Sequence, residues 1–308
     1  MTDTRNNSAT GPDPFIVMCA PNGARGTHKD HPALPISPTE LANCAAEVLA
    51  AGASILHLHV RGERGQHSLD VGHYQMAIEA VTNRVGDSLV IQVTSEAVGR
   101  YSRDDQMTMV KTLKPEAVSL ALRELVPDGS DPTETADFFG WLQDNNVCPQ
   151  IILYDEADYQ RYLQLQKQGV FGEKAMFLLF VLAKQQSERE HEGFSNTAFG
   201  QFPPKTDNPW AACCFGKQEH NLAGLCAQSG GHVRVGFENN IWREDGTFAL
   251  NNAELVKNAR DAALQTNRAI ATADDARRLL SRAQSATIKQ KQVSKTPEKG
   301  KNDLNSVI

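Results

Sequence analysis

The sequence predicts a single-domain α/β protein with the (β/α)8 architecture of a TIM barrel. Eight short apolar segments recur along the chain, segments with helical periodicity separate most of them, and together they span roughly 270 residues. An open dinucleotide-binding sheet is the alternative, but no G-x-G-x-x-G motif follows the first apolar segment. The barrel is therefore the preferred fold.

The strands are predicted from apolar runs of the length found in buried parallel strands, whose two faces are both covered by protein. In chain order these runs are 15–20, 54–60, 88–94, 116–121, 150–154, 177–182, 210–215 and 232–237. Because the loops after barrel strands form the active-site rim, the carboxyl ends of these runs are the places to look for functional residues.

Helices are predicted where apolar residues recur with the helical period between these strands. The predicted ranges are 38–51, 73–84, 104–113, 133–145, 156–168, 218–229 and 252–266. The first range has the clearest start, because Ser37 and Glu40 form a capping-box pattern and Pro38 takes the first helical position.

Composition narrows the class of protein and its partners. The chain has 308 residues, a formal net charge of -6 and a pI near 5.9, so it lacks the basic footprint of a nucleic-acid-binding protein. No apolar run reaches the length of a membrane helix, and the first residues lack a signal-peptide core. We therefore expect a cytoplasmic protein without nucleic-acid or membrane partners, whose six cysteines are reduced.

Three polar segments stand apart from the predicted barrel, which covers residues 14–284. Residues 1–13 and the lysine-rich tail 285–308 are predicted to lack fixed structure because they contain few large apolar groups. Residues 184–209 follow the sixth strand and form a candidate active-site lid, with an idle surface insertion as the alternative.

Two histidines lie one residue apart in the second predicted strand. His57 and His59 share one strand face about 6–7 Å apart, so they could bind one cation or be two histidines with backbone partners. Glu238, at the carboxyl end of the last strand, could be the third ligand or form a salt bridge with Arg234 or Arg61. Two histidines and one carboxylate are typical of a catalytic divalent metal site, for which zinc is the first choice.

The sequence resembles that of the β-keto acid cleavage enzymes over residues 15 to 283. The matching motifs are specific in combination, since two of them contain the three candidate metal ligands. They are NGA (22–24), LPISPTE (34–40), GASILHLHVR (52–61), IQVT (91–94), LKPEAVSL (113–120), LFVL (179–182), GGHVRVGFEN (230–239) and NAELV (252–256).

The resemblance implies a zinc-dependent homotetramer that condenses a β-keto acid with acetyl-CoA, giving acetoacetate and a new acyl-CoA by a retro-Claisen-type exchange. It implies zinc on His57, His59 and Glu238, and a catalytic role for Arg234, whose fixed charge would support anionic intermediates. Family positions with hydroxyl or amide groups that bind substrate correspond to Thr94, Ser119 and Asn22 in this chain.

One departure from the family pattern concerns the group that removes a proton. The family commonly has a carboxylate where this chain has Asn239, and an amide does not accept a proton at neutral pH. Glu96, just beyond Thr94, is a candidate replacement base, and a solvated loop residue is the alternative.

Two further departures concern substrate binding. Arg25 stands where the aminohexanoate-cleaving members have a carboxylate, which favours a keto acid with an anionic or polar far end. The alternative is that Arg25 pairs with a neighbouring acid such as Asp30. Lys217 replaces an arginine near the seventh strand, so a phosphate or carboxylate contact there would be a point charge.

Two other functions remain open from the sequence. A metal-dependent lyase or aldolase could act on a keto acid without coenzyme A, and the need for acetyl-CoA would distinguish it. A protein that binds metal and ligand but has lost catalysis is the other, and Asn239 is the residue that suggests it.

Overall fold

The computed structural model describes residues 13–172, 175–182, 199, 202 and 205–285. Eight parallel strands form a closed barrel in which β1 pairs with both β2 and β10, and the (β/α)8 prediction is confirmed. The barrel strands are β1 (Val17–Cys19), β2 (Ile55–Leu58), β5 (Val90–Thr94), β6 (Ala117–Ala121), β7 (Cys148–Leu153), β8 (Phe177–Val181), β9 (Trp210–Cys213) and β10 (His232–Val235).

All seven predicted helices are present in the described parts of the chain, and two more occur that the periodicity did not predict. The expected helices are α1 (Pro38–Ala51), α2 (Val71–Val85), α3 (Arg103–Leu113), α5 (Thr133–Asp144), α6 (Glu156–Lys167), α7 (Glu219–Gln228) and α8 (Asn252–Leu264). The additional ones are α4 (Leu122–Leu125) and α9 (Ala273–Ser285). The capping box at Ser37 and Glu40 is formed as predicted.

The predicted strand 54–60 was too long. The barrel strand β2 ends at Leu58, and the chain then forms a small hairpin of β3 (Val60–Arg61) and β4 (His67–Ser68) outside the barrel sheet. Arg61 therefore does not join the histidines inside the barrel. Its guanidinium donates hydrogen bonds to the Gly23 and Gly26 carbonyls at 2.6 and 3.0 Å, which fastens the loop after β1.

Helix α9 closes the amino-terminal end of the barrel. Its buried residues Ala276 and Leu280 pack in one apolar cluster with inward-facing strand residues such as Ile55 and Phe177. The opposite strand faces, including those of Leu56 and Leu58, pack against the surrounding helices in the main core. The carboxyl-terminal end thus remains the open end of the barrel.

Several predictions fall outside the described residues. These are the lack of fixed structure at 1–12 and 286–308 and the lid role of 184–209, of which only Phe199, Phe202 and 205–209 are described. Within the described part, no helix is long and apolar enough to cross a membrane.

Candidate active site

A single cavity at the carboxyl-terminal end of the barrel contains every residue that the sequence analysis selected. It has a volume of about 980 Å³ and lies where barrel enzymes place their chemistry. The predicted residues that line it are Asn22, Arg25, His57, His59, Thr94, Glu96, Ser119, Lys217, Arg234, Glu238 and Asn239.

Three side chains in this cavity bring potential metal ligands together. The Nε2 atoms of His57 and His59 are 3.2 Å apart, and Glu238 Oε2 lies 3.5 Å from His57 Nε2 and 3.1 Å from His59 Nε2. Metal bonds of about 2.0–2.1 Å in a tetrahedral arrangement place neighbouring ligands about 3.3 Å apart. The three side chains therefore fit a single divalent metal ion, as the spacing of the motifs predicted.

The orientation of His57 is fixed by a chain of hydrogen bonds. Gln92 Nε2 donates to Gln150 Oε1 at 3.2 Å, so Gln92 Oε1 remains to accept from His57 Nδ1 at 2.8 Å. This contact places the imidazole proton on Nδ1, so the Nε2 lone pair is the one that faces the candidate metal site, where Arg234 Nη1 lies 3.4 Å from it. Sequence analysis missed Gln92, although a glutamine inside an apolar strand was a usable signal.

Electrostatics favour the ligand forms of His57 and Glu238. Burial, assisted by the nearby Arg234 charge, lowers the pKa of His57 to about 3, which keeps this imidazole neutral. Burial opposes ionisation of Glu238, but Arg234 and His59 outweigh it and hold the pKa of the Glu238 carboxyl well below its usual range. Glu238 Oε1 also lies 3.0 Å from Arg234 Nη2, so the alternative salt bridge forms alongside the metal-ligand arrangement.

Asn239 presents an unused amide to the same cavity. Its side chain is almost fully buried, yet neither Oδ1 nor Nδ2 has a hydrogen-bond partner within the described ranges. Ser119 Oγ and Asn22 Oδ1 are also buried without a partner there, whereas Asn22 Nδ2 donates to the His59 carbonyl at 3.2 Å. Unsatisfied buried polar atoms are costly, so their convergence on one cavity indicates that a polar ligand completes them.

Glu96 and Arg25 meet at the mouth of the cavity. Arg25 Nη1 lies 3.7 Å from Glu96 Oε1, while Asp30 accepts hydrogen bonds from Thr27, so the acid beside Arg25 is Glu96. The other Glu96 oxygen is 4.0 Å from His59 Nδ1. Both backbone polar groups of Glu96 have partners. The N–H donates to Thr94 Oγ1, and the carbonyl lies 2.8 Å from His67 Nε2.

The cavity wall also includes residues that the motifs did not single out. Examples are Tyr154 and Arg123 at the ends of the neighbouring strands, and Trp242 beyond β10. Arg123 pairs with Asp155 and Asp158 at 2.7 Å, so its charge is compensated within the protein. A single aromatic residue or arginine just after a strand gave no signal in the sequence that distinguishes it from ordinary surface residues.

Fold and site together define a barrel enzyme with a candidate metal centre at its carboxyl-terminal end. The sequence profile of the beta-keto acid cleavage enzyme family matches residues 14–281. The chain therefore belongs to this family, whose enzymes exchange acyl groups between β-keto acids and acetyl-CoA.

Two curated relatives cover nearly the same part of the chain. The 3-keto-5-aminohexanoate cleavage enzyme of Fusobacterium nucleatum is 32% identical over 272 residues, which are 87% of this chain and 97% of the relative. The 3-oxoadipate:acetyl-CoA acetyltransferase of Cupriavidus necator is 25% identical over 274 residues, covering 87% and 94% of the two chains.

Solved structures support the fold. A ternary complex of ObcA with a C4-CoA adduct and oxalate superposes with a TM-score of 0.65 over 81% of this chain and 68% of ObcA. The sequence identity is 15%, so this similarity concerns the barrel alone.

Proposed function

We propose that this chain is a metal-dependent β-keto acid:acetyl-CoA transferase that releases acetoacetate and a new acyl-CoA. The observation that carries the proposal is the convergence of His57, His59 and Glu238 beside Arg234. In the same cavity, the Asn239 amide and the Ser119 hydroxyl are buried without partners among the described residues. We propose zinc as the metal, because two imidazoles and one carboxylate suit it and leave positions open.

A metal held by these three residues would act as a Lewis acid towards the oxygens of the keto acid. The protein's own contribution is to place a fixed positive charge and hydrogen-bond donors around them. Arg234 is almost fully buried and remains charged, so it stabilises an anion that forms beside it. Ser119 and Asn239 can donate hydrogen bonds to the bound acid, because both lack partners among the described residues.

The proposed reaction exchanges one carbon–carbon bond for another. Loss of a proton from C2 of the keto acid gives an enolate, which attacks the acetyl carbonyl of acetyl-CoA and releases the CoA thiolate. The thiolate then adds to the original ketone carbon, and the bond between C2 and C3 breaks to leave the new acyl-CoA and the enolate of acetoacetate. The proton removed in the first step returns to C2 of this enolate. Acetoacetate therefore takes its acetyl group from acetyl-CoA and its CH2–COO⁻ part from the keto acid.

We assign proton removal to Glu96. Its carboxylate lines the cavity on the side of His59, whereas the amide of Asn239 cannot act as a base at neutral pH. Glu96→Gln is expected to lower kcat by about a hundredfold. Glu124→Gln is the matched control, because Glu124 also lines the cavity but accepts a hydrogen bond from the Ala97 N–H, which a glutamine can retain.

The distal group of the keto acid is the part of the substrate that Arg25 would contact. The two curated relatives are named for acids whose far ends carry an amine and a carboxylate, respectively. Arg25 at the cavity mouth favours the anionic or polar class, although the neighbouring Glu96 partly offsets its charge. We propose a substrate of this class.

The test is a mass-spectrometric assay of the purified protein with acetyl-CoA and a panel of β-keto acids that differ at the far end. The proposal predicts acetoacetate and one new acyl-CoA from members with an anionic or polar end. Turnover without acetyl-CoA would instead establish the lyase alternative. Bound metal without any turnover would favour a protein that binds ligand and no longer cleaves it. The homotetramer, which the family resemblance implies, stays a prediction for sedimentation analysis.

A further inference from the structure

The cavity is larger than a β-keto acid requires. Its volume of about 980 Å³ lies at the top of the range for pockets that enclose drug-sized ligands. A keto acid at the metal ligands would fill only the inner part. The remaining space reaches the rim between the loops after β9 and β10, where Phe215, Gly216, Lys217, Ile241 and Trp242 form the wall.

Lys217 differs from the other cations of the outer cavity wall. Arg25 lies beside Glu96, and Arg123 pairs with two aspartates, but no carboxylate of the described residues lies within 4.0 Å of the Lys217 ammonium. Asp245 is the acid nearby, and hydrogen bonds from Thr247, more than the charge of Lys217, lower the pKa of its carboxyl. Lys217 is also exposed, so its ammonium is available to an anion.

On the same cavity wall as Lys217, Trp242 forms an exposed aromatic stack with Phe248. The rings of Trp242 and Phe248 lie 4.5 Å apart with 20° between their planes, and the residues are 36% and 46% exposed. Trp242 lines the cavity and Phe248 does not, so the indole lies between the Phe248 ring and the cavity.

Hydrogen bonds within the protein fix the backbone of Trp242. The Trp242 N–H donates to Asn240 Oδ1 at 2.9 Å, and the Trp242 carbonyl accepts from Asn240 Nδ2 at 2.8 Å. His220 Nε2 contacts the same carbonyl at 2.9 Å. Together with the Phe248 ring against the indole, these contacts place a large aromatic side chain at the cavity mouth with part of its surface in water, which is typical of a stacking platform.

We propose that Lys217 and Trp242 bind the nucleotide end of the CoA thioester, with the adenine ring on the indole and a phosphate on the ammonium. The inference rests on the proposed function, because a CoA thioester is there the second substrate. Stacking on an aromatic ring accepts any nucleobase, and a lysine binds phosphate as a point charge. Lys217, which has no carboxylate partner among the described residues, lies on the same cavity wall as the indole. This cation and the continuity of the stack with the cavity favour this ligand over an apolar partner surface.

The direct test measures binding of adenosine 3′-phosphate 5′-diphosphate, the part of CoA without the thiol arm, to the full chain by calorimetry. Trp242→Ala is expected to weaken binding by about tenfold or more, and Trp242→Phe to retain most of it. Lys217→Ala is expected to weaken binding and reduce its dependence on salt. Leu250→Ala is the matched control, because Leu250 is 72% exposed on the same loop but does not line the cavity.

Kinetic measurements distinguish nucleotide binding at this site from the transferase reaction. Trp242→Ala is expected to raise KM for acetyl-CoA by about tenfold, with KM for acetyl-pantetheine, which lacks the nucleotide, unchanged. Nucleotide binding that depends on Trp242 in a protein without transferase activity would support the site and refute the proposed function. An active enzyme whose variant binds the nucleotide normally would overturn the site alone. The site would also be overturned if Trp242→Ala changed only the sedimentation of the protein. That result would identify Trp242 as part of a contact between copies of the chain.

Discussion

The two ends of the barrel interior are built from the same strands but have opposite chemistry. Along β2 the inward side chain is Ile55 near the amino end and His57 towards the carboxyl end. Along β5 the series is Val90, Gln92 and Thr94. At the amino end these side chains pack against α9, whereas at the carboxyl end buried polar atoms face a cavity.

This difference separates stability from function within one barrel. The amino-terminal layer gains free energy by removing apolar surface from water, and α9 completes it. The carboxyl-terminal layer holds a buried arginine, two imidazoles and several polar atoms without partners in the described part of the chain. Such atoms cost free energy until a ligand satisfies them. Changes at the two ends should therefore affect different measurements.

The largest expected effect is loss of activity at the carboxyl-terminal end. His59→Ala removes one of the three candidate metal ligands and is expected to abolish metal binding and lower kcat/KM by about a thousandfold. The barrel should remain folded by circular dichroism, because α9 and the amino-terminal layer are untouched. His73→Ala is the control, since His73 lies on α2 away from the cavity. A His59→Ala variant with full activity would refute the site.

The complementary change is made at the amino-terminal end. Phe177→Ala removes a fully buried ring from the layer that α9 covers and is expected to lower the free energy of unfolding by about 3–5 kcal/mol. Chemical denaturation measures this, with the half-exposed Met76→Ala as control. Metal content per folded chain should stay constant. A loss of metal with unchanged stability would contradict the separation of the two ends.

A smaller effect is expected in the layer between the ends. Gln92→Leu removes the acceptor that orients His57 and is expected to weaken metal binding by about 10- to 100-fold. Gln150→Leu acts one hydrogen bond further away and should have a weaker effect. Competition with a chelator measures both affinities. Equal affinities in Gln92→Leu and the unmodified protein would show that His57 does not depend on this chain of contacts.

Asn239→Asp restores the carboxylate that the family commonly carries. If this position faces the substrate, the variant should raise kcat by about tenfold, because a carboxylate can accept the proton that an amide cannot. Single-turnover measurements with saturating acetyl-CoA would test this. An unchanged or lower rate would refute this prediction and show that a carboxylate at position 239 does not assist the base assigned to Glu96.

The smallest expected effect concerns the exposed rim. Arg25→Glu should shift the ratio of kcat/KM values towards keto acids with a cationic end by only a few-fold, because the Arg25 side chain is 73% exposed and solvent screens its charge. Lys29→Glu makes the same charge change on the same loop without lining the cavity. Identical kcat/KM ratios in the two variants would show that Arg25 does not determine specificity.

The sequence predicted the features that depend on repeating patterns. The recurring apolar segments predicted the eight strands, and the H-x-H spacing with Glu238 predicted the three candidate metal ligands. It did not predict α9 as the cap, the β3–β4 hairpin or the contact between Gln92 and His57, because each depends on which distant segments meet in space. The alternative to a substrate-binding role for Arg25 was a pair with a neighbouring acid such as Asp30. The acid beside Arg25 is instead Glu96, which is distant in sequence and meets it only in the folded barrel.

The most direct measurement of the central claim uses metal-analysed protein, the best keto acid of the panel and acetyl-CoA labelled with ¹³C in both acetyl carbons. The account predicts one zinc ion per chain and label in carbons 3 and 4 of acetoacetate, with none in the new acyl-CoA. Unlabelled acetoacetate, or label released only as free acetate, would contradict the proposed exchange at the carboxyl-terminal end of the barrel.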